Sequence, residues 1–526
     1  MRILVVNEAS FLHTGYSIYG KNILDRLNRD GYEVAELAVY TTDTEEKIHN
    51  IPWTVFSNLP TTPEEQSRFN SDHSNVYGKF RFEEVICNFQ PHIVIDIRDP
   101  FMYDFEYYSP LRDRYHWMII APVDGVPQQP QWLDIFQDAD SVFTYTYWAK
   151  EYLESYGLDI VDSASPAASE KYFPIDTANI NAIKKSFNLS NNKIVGSIMR
   201  NQPRKLFEIL IKSFSMIKDK DALLYLHTAI PDVGFDLIKI LNEYNVLSRT
   251  LFTYICKNCN KAMPMFLSDV STYCPSCNTK QLKMVDVYSS LPEENMNKII
   301  NIFDVYVQCA SREGFGMPQA EAAACGIPII TVPYAGMNDI IKYISSSDSM
   351  KIAEFKLNNS MHMYEACPSS EDLCIKINNA LESNKKQLTS VKNREDFLNH
   401  YSSWESVYQI WKKRIDSVDL EKIDHNKKYE INHDFIINKN QPMLDFTRSL
   451  IKTFVGERMI GSFLHNRLIN DLHHGMTMDN VNNYYTKHFD GNNSSNFNQD
   501  IAIQIFSNMA KRNLEWRIKY NESISN

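Results

Sequence analysis

Residues 304–332 read Asp304-Val-Tyr-Val-Gln308-Cys-Ala-Ser-Arg312-Glu313-Gly-Phe-Gly-Met-Pro-Gln-Ala-Glu321-Ala-Ala-Ala-Cys-Gly326-Ile-Pro-Ile-Ile-Thr-Val332. Asp304 to Cys309 is a short apolar run with the pattern of a buried strand. Pro318 suits the first helical position, where its missing N–H costs nothing, and Gly326 suits the left-handed stop. A helix therefore starts at the loop. Open parallel sheets bind ligands at the carboxyl ends of their strands, which is where this loop falls. The unpaired N–H groups of the helix start and of Gly314, Phe315 and Gly316 are expected to face an anionic diphosphate, assisted by the helix dipole. Two carboxylates flank that position, Glu313 in the loop and Glu321 in the first helical turn. As an isolated pair they read as a solvated loop acid and a complement to the dipole.

Outward from this stretch, strands alternate with amphipathic helices. The N-terminus opens with an apolar strand (Ile3 to Val6), a polar loop, a helix (Ser17 to Asn28) and a strand (Tyr32 to Val39). Apolar runs follow at His92 to Ile97, Trp117 to Val123 and Ser141 to Tyr145, with a helix over Trp148 to Tyr156. Such alternation implies an α/β chain with parallel sheets covered on both faces. Ala164 to Thr177 loses periodicity as a linker would. The pattern restarts with strand Asn191 to Met199, helix Leu206 to Ile217 and strand Ala222 to His227. It continues through Ile327 to Val332 and helical stretches at Glu371 to Glu382 and Trp404 to Ile415. Beyond Leu420 the composition shifts to Asn, His and Ile, with helical pieces at Met443 to Phe454 and Ile501 to Ile518 around the Asn/Ser-rich 491–498.

The E-x7-E spacing within Glu313-Gly-Phe-Gly-Met-Pro-Gln-Ala-Glu321 resembles the signature of family-4 glycosyltransferases (glycosyl transferases group 1) of the GT-B fold. The resemblance implies two Rossmann-like doubly wound domains: an acceptor-side domain over 1–175 and a nucleotide-sugar-binding domain over 190–400. A crossover helix over 401–418 and a mostly helical extension over 420–526 complete that division. It assigns Glu313 to the transferred sugar, with Gly314, Phe315 and Gly316 on the donor, and Glu321 to the ribose hydroxyls. Arg200-Asn-Gln-Pro-Arg-Lys205 resembles the family's Arg and Lys pair, which gives Arg200 and Lys205 the leaving diphosphate and makes Arg204 a helper. His13-Thr-Gly15 resembles the family's glycine loop. Asp124, in Ala121-Pro-Val-Asp124-Gly125, stands where many relatives place a His. It reads either as an acid at the donor sugar or acceptor hydroxyl, or as a turn-forming Asp-Gly. Asp96 and Asp99, around Arg98, are alternative acids.

Nine cysteines are an odd number, and four form two C-x-x-C pairs, Cys256/Cys259 and Cys274/Cys277, with 14 residues between the pairs. Two such knuckles present four thiolates tetrahedrally to a structural Zn²⁺, a closed set with no open catalytic position. A zinc ribbon inserted over 252–282 follows, in which staple, acceptor-side lid, dimer contact and nucleic-acid reader all remain open; redox disulfides are the competing use of the same cysteines. The remaining five, Cys87, Cys309, Cys325, Cys367 and Cys374, read as core residues.

A chain of 526 residues exceeds one hydrophobic core, so two to three domains are expected. With 54 basic against 65 acidic side chains and a net charge of −11, no whole-molecule field attracts nucleic acid or anionic lipid. No apolar window is long enough to span a bilayer and no leader peptide is evident, so a cytoplasmic location is expected. His465, His473 and His474 lack a completing ligand pattern, and Lys511, Arg512, Arg517 and Lys519 read as a solvated helix face. The implied activity is retaining transfer of a sugar from a nucleoside-diphosphate sugar to an acceptor hydroxyl, without a catalytic divalent ion. The competing readings are the same chemistry on a DNA or RNA base gripped by the ribbon or the C-terminal basic helix, a sugar-nucleotide epimerase, and an inactive zinc-ribbon scaffold.

Overall fold

The computed structural model describes residues 1–107, 109, 111–269, 273–286, 291–423 and 425. The proposed helical pieces of the C-terminal extension, its histidines and its basic cluster lie outside the described residues. The described chain divides into two compact units, one of residues 1–121, 128–142, 414–423 and 425, the other of described residues within 122–127 and 143–413.

Seven strands form the first sheet: β1 (Arg2–Glu8), β2 (Glu33–Val39), β3 (Thr54–Ser57), β4 (Ile93–Asp96), β5 (His116–Ala121), β6 (Ser141–Thr144) and β7 (Ile160–Ser163). Their order is β3-β2-β1-β4-β5-β6-β7, so the winding reverses between β1 and β4. Ile3, Leu4, Val5 and Val6 of β1 are fully buried, which is why that strand is apolar throughout rather than alternating. Helix α1 (Gly15–Arg29) follows β1, and its Ile23, Leu24 and Leu27 pack inward. Thr14 caps it by accepting from the Ser17 N–H at 3.1 Å. Gly15 is thus the first residue of the helix, two residues before the expected start at Ser17.

The second sheet is built from β8 (Ile194–Ile198), β9 (Leu223–His227), β10 (Thr250–Cys256), β11 (Ala262–Phe266), β12 (Leu282–Met284), β13 (Val305–Gln308), β14 (Ile329–Thr331) and β15 (Asp348–Ser349). The order is β11-β10-β9-β8-β13-β14-β15, with β12 also on β10. Strands β8 and β13 run parallel in the register Val305↔Val195 and Tyr306↔Gly196, which sets their carboxyl ends side by side. The cysteine segment is not a detached module. Its strand β10 pairs in parallel with β9 and antiparallel with β11 and β12, so the knuckles extend one edge of the sheet and leave no long bare strand there.

Three further elements position the site: α2 (Phe207–Met216), α3 (Glu293–Asn301) and α4 (Met317–Ala324). An antiparallel hairpin, β16 (Ile352–Asn358) with β17 (Met363–Pro368), was not foreseen. The helix expected over Trp404 to Ile415 is present with those bounds. No described helix is long and apolar enough to cross a membrane.

Candidate active site

The loop after β13 turns sharply into α4. Gly316 caps the helix at φ 84, a left-handed conformation in which a side chain would also strike the Gln319 amide. Met317 is the first helical residue and Pro318 the second, so Glu321 falls in the second turn rather than the first. The backbone N–H groups of Gly314, Phe315 and Gly316 donate to no acceptor among the described residues. Gly336 holds the loop from behind: its N–H donates to the Glu313 carbonyl at 2.9 Å. A Cβ at Gly336 would lie 2.8 Å from that oxygen and closer still to the Gly314 carbonyl, so only glycine permits this approach.

Glu313 is buried, and three donors converge on its carboxylate. Lys205 Nζ pairs with Oε1, Gln308 Nε2 donates to Oε1 at 2.8 Å, and Arg204 Nη1 donates to Oε2 at 2.8 Å. Gln308 Oε1 in turn accepts from the Tyr306 hydroxyl. Burial opposes the charge on Glu313, but Arg204 and Lys205 outweigh it and hold the carboxyl down at about 2. Burial pulls Lys205 down to about 8 against the attraction of Glu313. At neutral pH the group is one carboxylate against two cations, Lys205 buried and Arg204 partly exposed, with an excess positive charge beside three N–H groups that have no acceptor among the described residues. Such an arrangement attracts an oxyanion.

Arg200 lies apart from these residues. Its guanidinium makes a paired contact with Asp232 at 2.8 and 3.1 Å and is more than half exposed. Arg204, expected only as a helper, is a direct partner of Glu313. The reason is the turn Pro203–Lys205, which brings two consecutive basic residues to the carboxylate.

Asp124 does reach the loop. It forms an ion pair with Arg312, whose Nε also contacts Glu365 at 3.0 Å, and Glu365 accepts from Asn358 of the hairpin at 2.9 Å. A Cβ on Gly314 would sit 4.0 Å from that of Asp124. Glu321 occupies a different environment. Burial, reinforced by Glu293, raises its carboxyl to about 7, with the Tyr172 hydroxyl acting the other way. Gly15 lies in the first unit, exposed at the start of α1. Asp96 is consumed elsewhere: with Glu106 it neutralises Arg98, all three fully buried, so Asp96 is a structural anion rather than a site acid.

Gln308, Arg312, Tyr172 and Gly336 are the site residues that sequence reading passed over. A polar residue at the carboxyl end of the otherwise apolar Val305 to Gln308 was the available signal for Gln308.

The four knuckle thiols lie within 4.8 Å of one another, Cys256 and Cys274 buried, Cys259 and Cys277 partly so. The Cys256–Cys277 and Cys259–Cys274 sulfurs are 3.6 and 3.8 Å apart. A tetrahedral thiolate site with metal–sulfur bonds of about 2.3 Å requires sulfurs roughly 3.8 Å apart, whereas a disulfide requires about 2.05 Å. The two knuckles match: Asn260 N–H bonds the Cys256 carbonyl and Asn278 N–H the Cys274 carbonyl, each at 2.8 Å, with both asparagines left-handed. The set fits a tetrahedral metal. Of the other cysteines, Cys309, Cys325 and Cys374 are buried, but Cys87 is exposed and Cys367 only half-buried, so those two are not core residues.

Residues 273–345, which span this loop and both glutamates, match the family model described as glycosyl transferases group 1. No curated protein matches the chain. Among solved structures the fold resembles sucrose-phosphate synthase from Thermosynechococcus elongatus, at 15% identity and TM-score 0.58, over 80% of this chain and 100% of that one. It resembles Anabaena HepE in complex with UDP and glucose at 14% identity and TM-score 0.56, with the same coverage. A glycosyltransferase from Rickettsia africae is similar at 13% identity and TM-score 0.52, over 79% and 97% of the two chains. The fold and the family-model match define the class: a glycosyltransferase of GT-B architecture.

Proposed function

We propose that the chain moves a sugar from a nucleoside-diphosphate donor to an acceptor hydroxyl with retention of configuration, the donor held by 190–400 and the acceptor by 1–175. One observation carries this reading: a buried carboxylate, Glu313, clamped by Arg204, Lys205 and Gln308 next to three N–H groups without acceptors. In transfer, the bond from the sugar C1 to the β-phosphate oxygen breaks, its electron pair stays on the diphosphate, the acceptor oxygen bonds to C1 on the same face, and the acceptor's hydroxyl proton passes to the departing phosphate oxygen. The excess positive charge and the Gly314 to Gly316 amides stabilise the departing diphosphate, and Arg200 joins them on releasing Asp232. A carboxyl held at about 2 is a weak base and nucleophile. Glu313 therefore serves as a fixed negative charge and hydrogen-bond acceptor for the transferred sugar, whose C1 becomes cationic in the transition state. Glu321 accepts from the ribose hydroxyls, and Asp124, with Arg312, lines the sugar side.

Cys256, Cys259, Cys274 and Cys277 would hold Zn²⁺, which supplies a structural cross-link and no open position for chemistry. The test of the donor reading is a thermal-shift panel of nucleoside-diphosphate sugars, headed by UDP-glucose, followed by product analysis with Glu313→Gln. A ligand that stabilises the chain, transfer by the native protein, and loss of transfer in the variant support the proposal. Stabilisation with interconverted but untransferred sugar nucleotide would replace it with epimerisation.

A further inference from the structure

The carboxyl end of the first sheet carries a second constellation. The register Glu8↔Val39 places Tyr40 immediately beyond the residue opposite Glu8, and β4 leads through Asp96 to Arg98, Asp99 and Phe101 at the same end. This is the reversal between β1 and β4, where open α/β sheets leave a crevice. Three aromatic side chains, Tyr40, Tyr77 and Phe101, lie at that end. Tyr77 and Phe101 pack edge to face with centroids 5.6 Å apart, and Tyr40 and Phe101 are each exposed by more than a third. Tyr40 sits at φ 67, a left-handed conformation that costs energy in a tyrosine and orders the chain just after β2. Burial, with Glu8 next, raises its hydroxyl to about 12, so it stays a neutral donor, with Tyr77 and Asp99 also in range.

The floor is rigid. The buried Arg98 guanidinium binds Asp96, Glu106 at 2.9 Å and the Tyr77 carbonyl, fixing the Tyr77 segment to the end of β4. Two carboxylates stand among these rings, Asp99 and the largely buried Glu8, which also accepts from the Thr14 hydroxyl, while the Tyr77 hydroxyl lies 3.2 Å from His73 Nε2. A pyranose has the complementary make-up, with C–H faces that pack on aromatic rings and a hydroxyl rim that donates to carboxylates. Glu8 and Asp99, on a chain of net charge −11, repel a phosphodiester backbone.

We infer that Tyr40, Tyr77 and Phe101, with Glu8 and Asp99, form a binding platform for a neutral saccharide, which makes the acceptor a carbohydrate. This rests on the transferase reading for its meaning but not for its test. The full-length protein is applied to an array of neutral oligosaccharides, with a 20-nucleotide single-stranded DNA and RNA at low salt as comparators. Binders are then titrated against the native chain, Tyr40→Ala, Phe101→Ala and Tyr40→Phe, with melting temperature as the check on folding. Neutral glycan binding is expected, weakened about tenfold or more by each alanine and kept by Tyr40→Phe. No glycan binding, or binding untouched by both alanine changes, overturns the platform. Oligonucleotide binding lost in the same variants overturns it in favour of a nucleic-acid acceptor. UDP-glucose and the other donors are measured on the same samples: donor binding without glycan binding defeats only the platform, and glycan binding without any donor defeats only the transferase reading.

Discussion

Gln308 Nε2 donates to Glu313 Oε1 at 2.8 Å while Gln308 Oε1 accepts from the Tyr306 hydroxyl, so a strand side chain fixes the orientation of the loop carboxylate. The amide cannot usefully turn over, because its oxygen would then face the carboxylate. Gln308 is accordingly a positioning residue. In Gln308→Leu, transfer should fall by about tenfold through kcat, the loss typical of one neutral hydrogen bond. Gln308→Glu should fall much further, because it buries a second negative charge against Glu313. Steady-state kinetics with the donor selected by thermal shift separates the two.

Glu313→Gln keeps the shape of the site and removes its negative charge. The buried Lys205 and the partly buried Arg204 then face a neutral amide, and breaking a buried pair in this way costs about 3 kcal/mol or more of stability. Transfer should drop by about 10²-fold or more, with donor affinity changed far less. Calorimetry and single-turnover kinetics on the variant check both parts; unchanged transfer would remove Glu313 from the chemistry.

Glu321 sets a pH dependence. Its folded carboxyl, raised to about 7 from an ordinary 4.5, favours the protonated form, so its contribution to stability is present below 4.5 and is lost as pH rises through 7. Accepting ribose hydroxyls requires the ionised form. Nucleotide affinity should therefore increase from pH 6 to pH 8 as thermal stability of the free protein declines. Both trends should flatten in Glu321→Gln, measured by titration calorimetry and by melting curves across that range.

The knuckles should carry one metal ion per chain, seen by elemental analysis of the purified protein. Chelation, or Cys277→Ser, should lower the melting temperature, because the four thiolates tie β10 to the turns on both sides of it. Thiol titration should show four additional reactive groups after metal removal. Full thiol reactivity at the outset with no metal would point to a reduced, unligated cluster.

Gly336→Ala should displace the Glu313–Gly314 backbone, since the added Cβ meets both carbonyl oxygens. The expected result is a destabilisation of about 1–3 kcal/mol together with weakened nucleotide binding. Normal binding in a stable variant would show that the loop shifts without consequence.

Much of the architecture was legible because punctuation and periodicity act locally. The apolar runs of β1 and β13 sit at nearly their expected positions, and the loop-to-helix junction was readable from Pro318 and Gly326. The β16–β17 hairpin was not read, although Phe355 and Leu357 alternate with Glu354 and Lys356. β16 is largely exposed and β17 alternates between buried and more exposed positions, so neither has the continuous apolar run by which buried strands were recognised. The helix starts at Gly15 and Met317 fall two and one residues before the expected Ser17 and Pro318, because they depend on caps, Thr14 and Gly316, whose geometry only the fold reveals.

Sequence by itself determined which groups were available: two glutamates with seven residues between them, a basic run after a strand, four thiols in two knuckles. Only the tertiary structure decided their partners. Glu313 and Lys205 are separated by 108 positions and meet because β8 and β13 pair in one register. The pairing of β8 with β9 sets Arg200 near Asp232, and in the other sheet the end of β4 gives Asp96 to a buried arginine. Pairing of distant charges follows from strand register and burial, and neither is a property of any local stretch of residues.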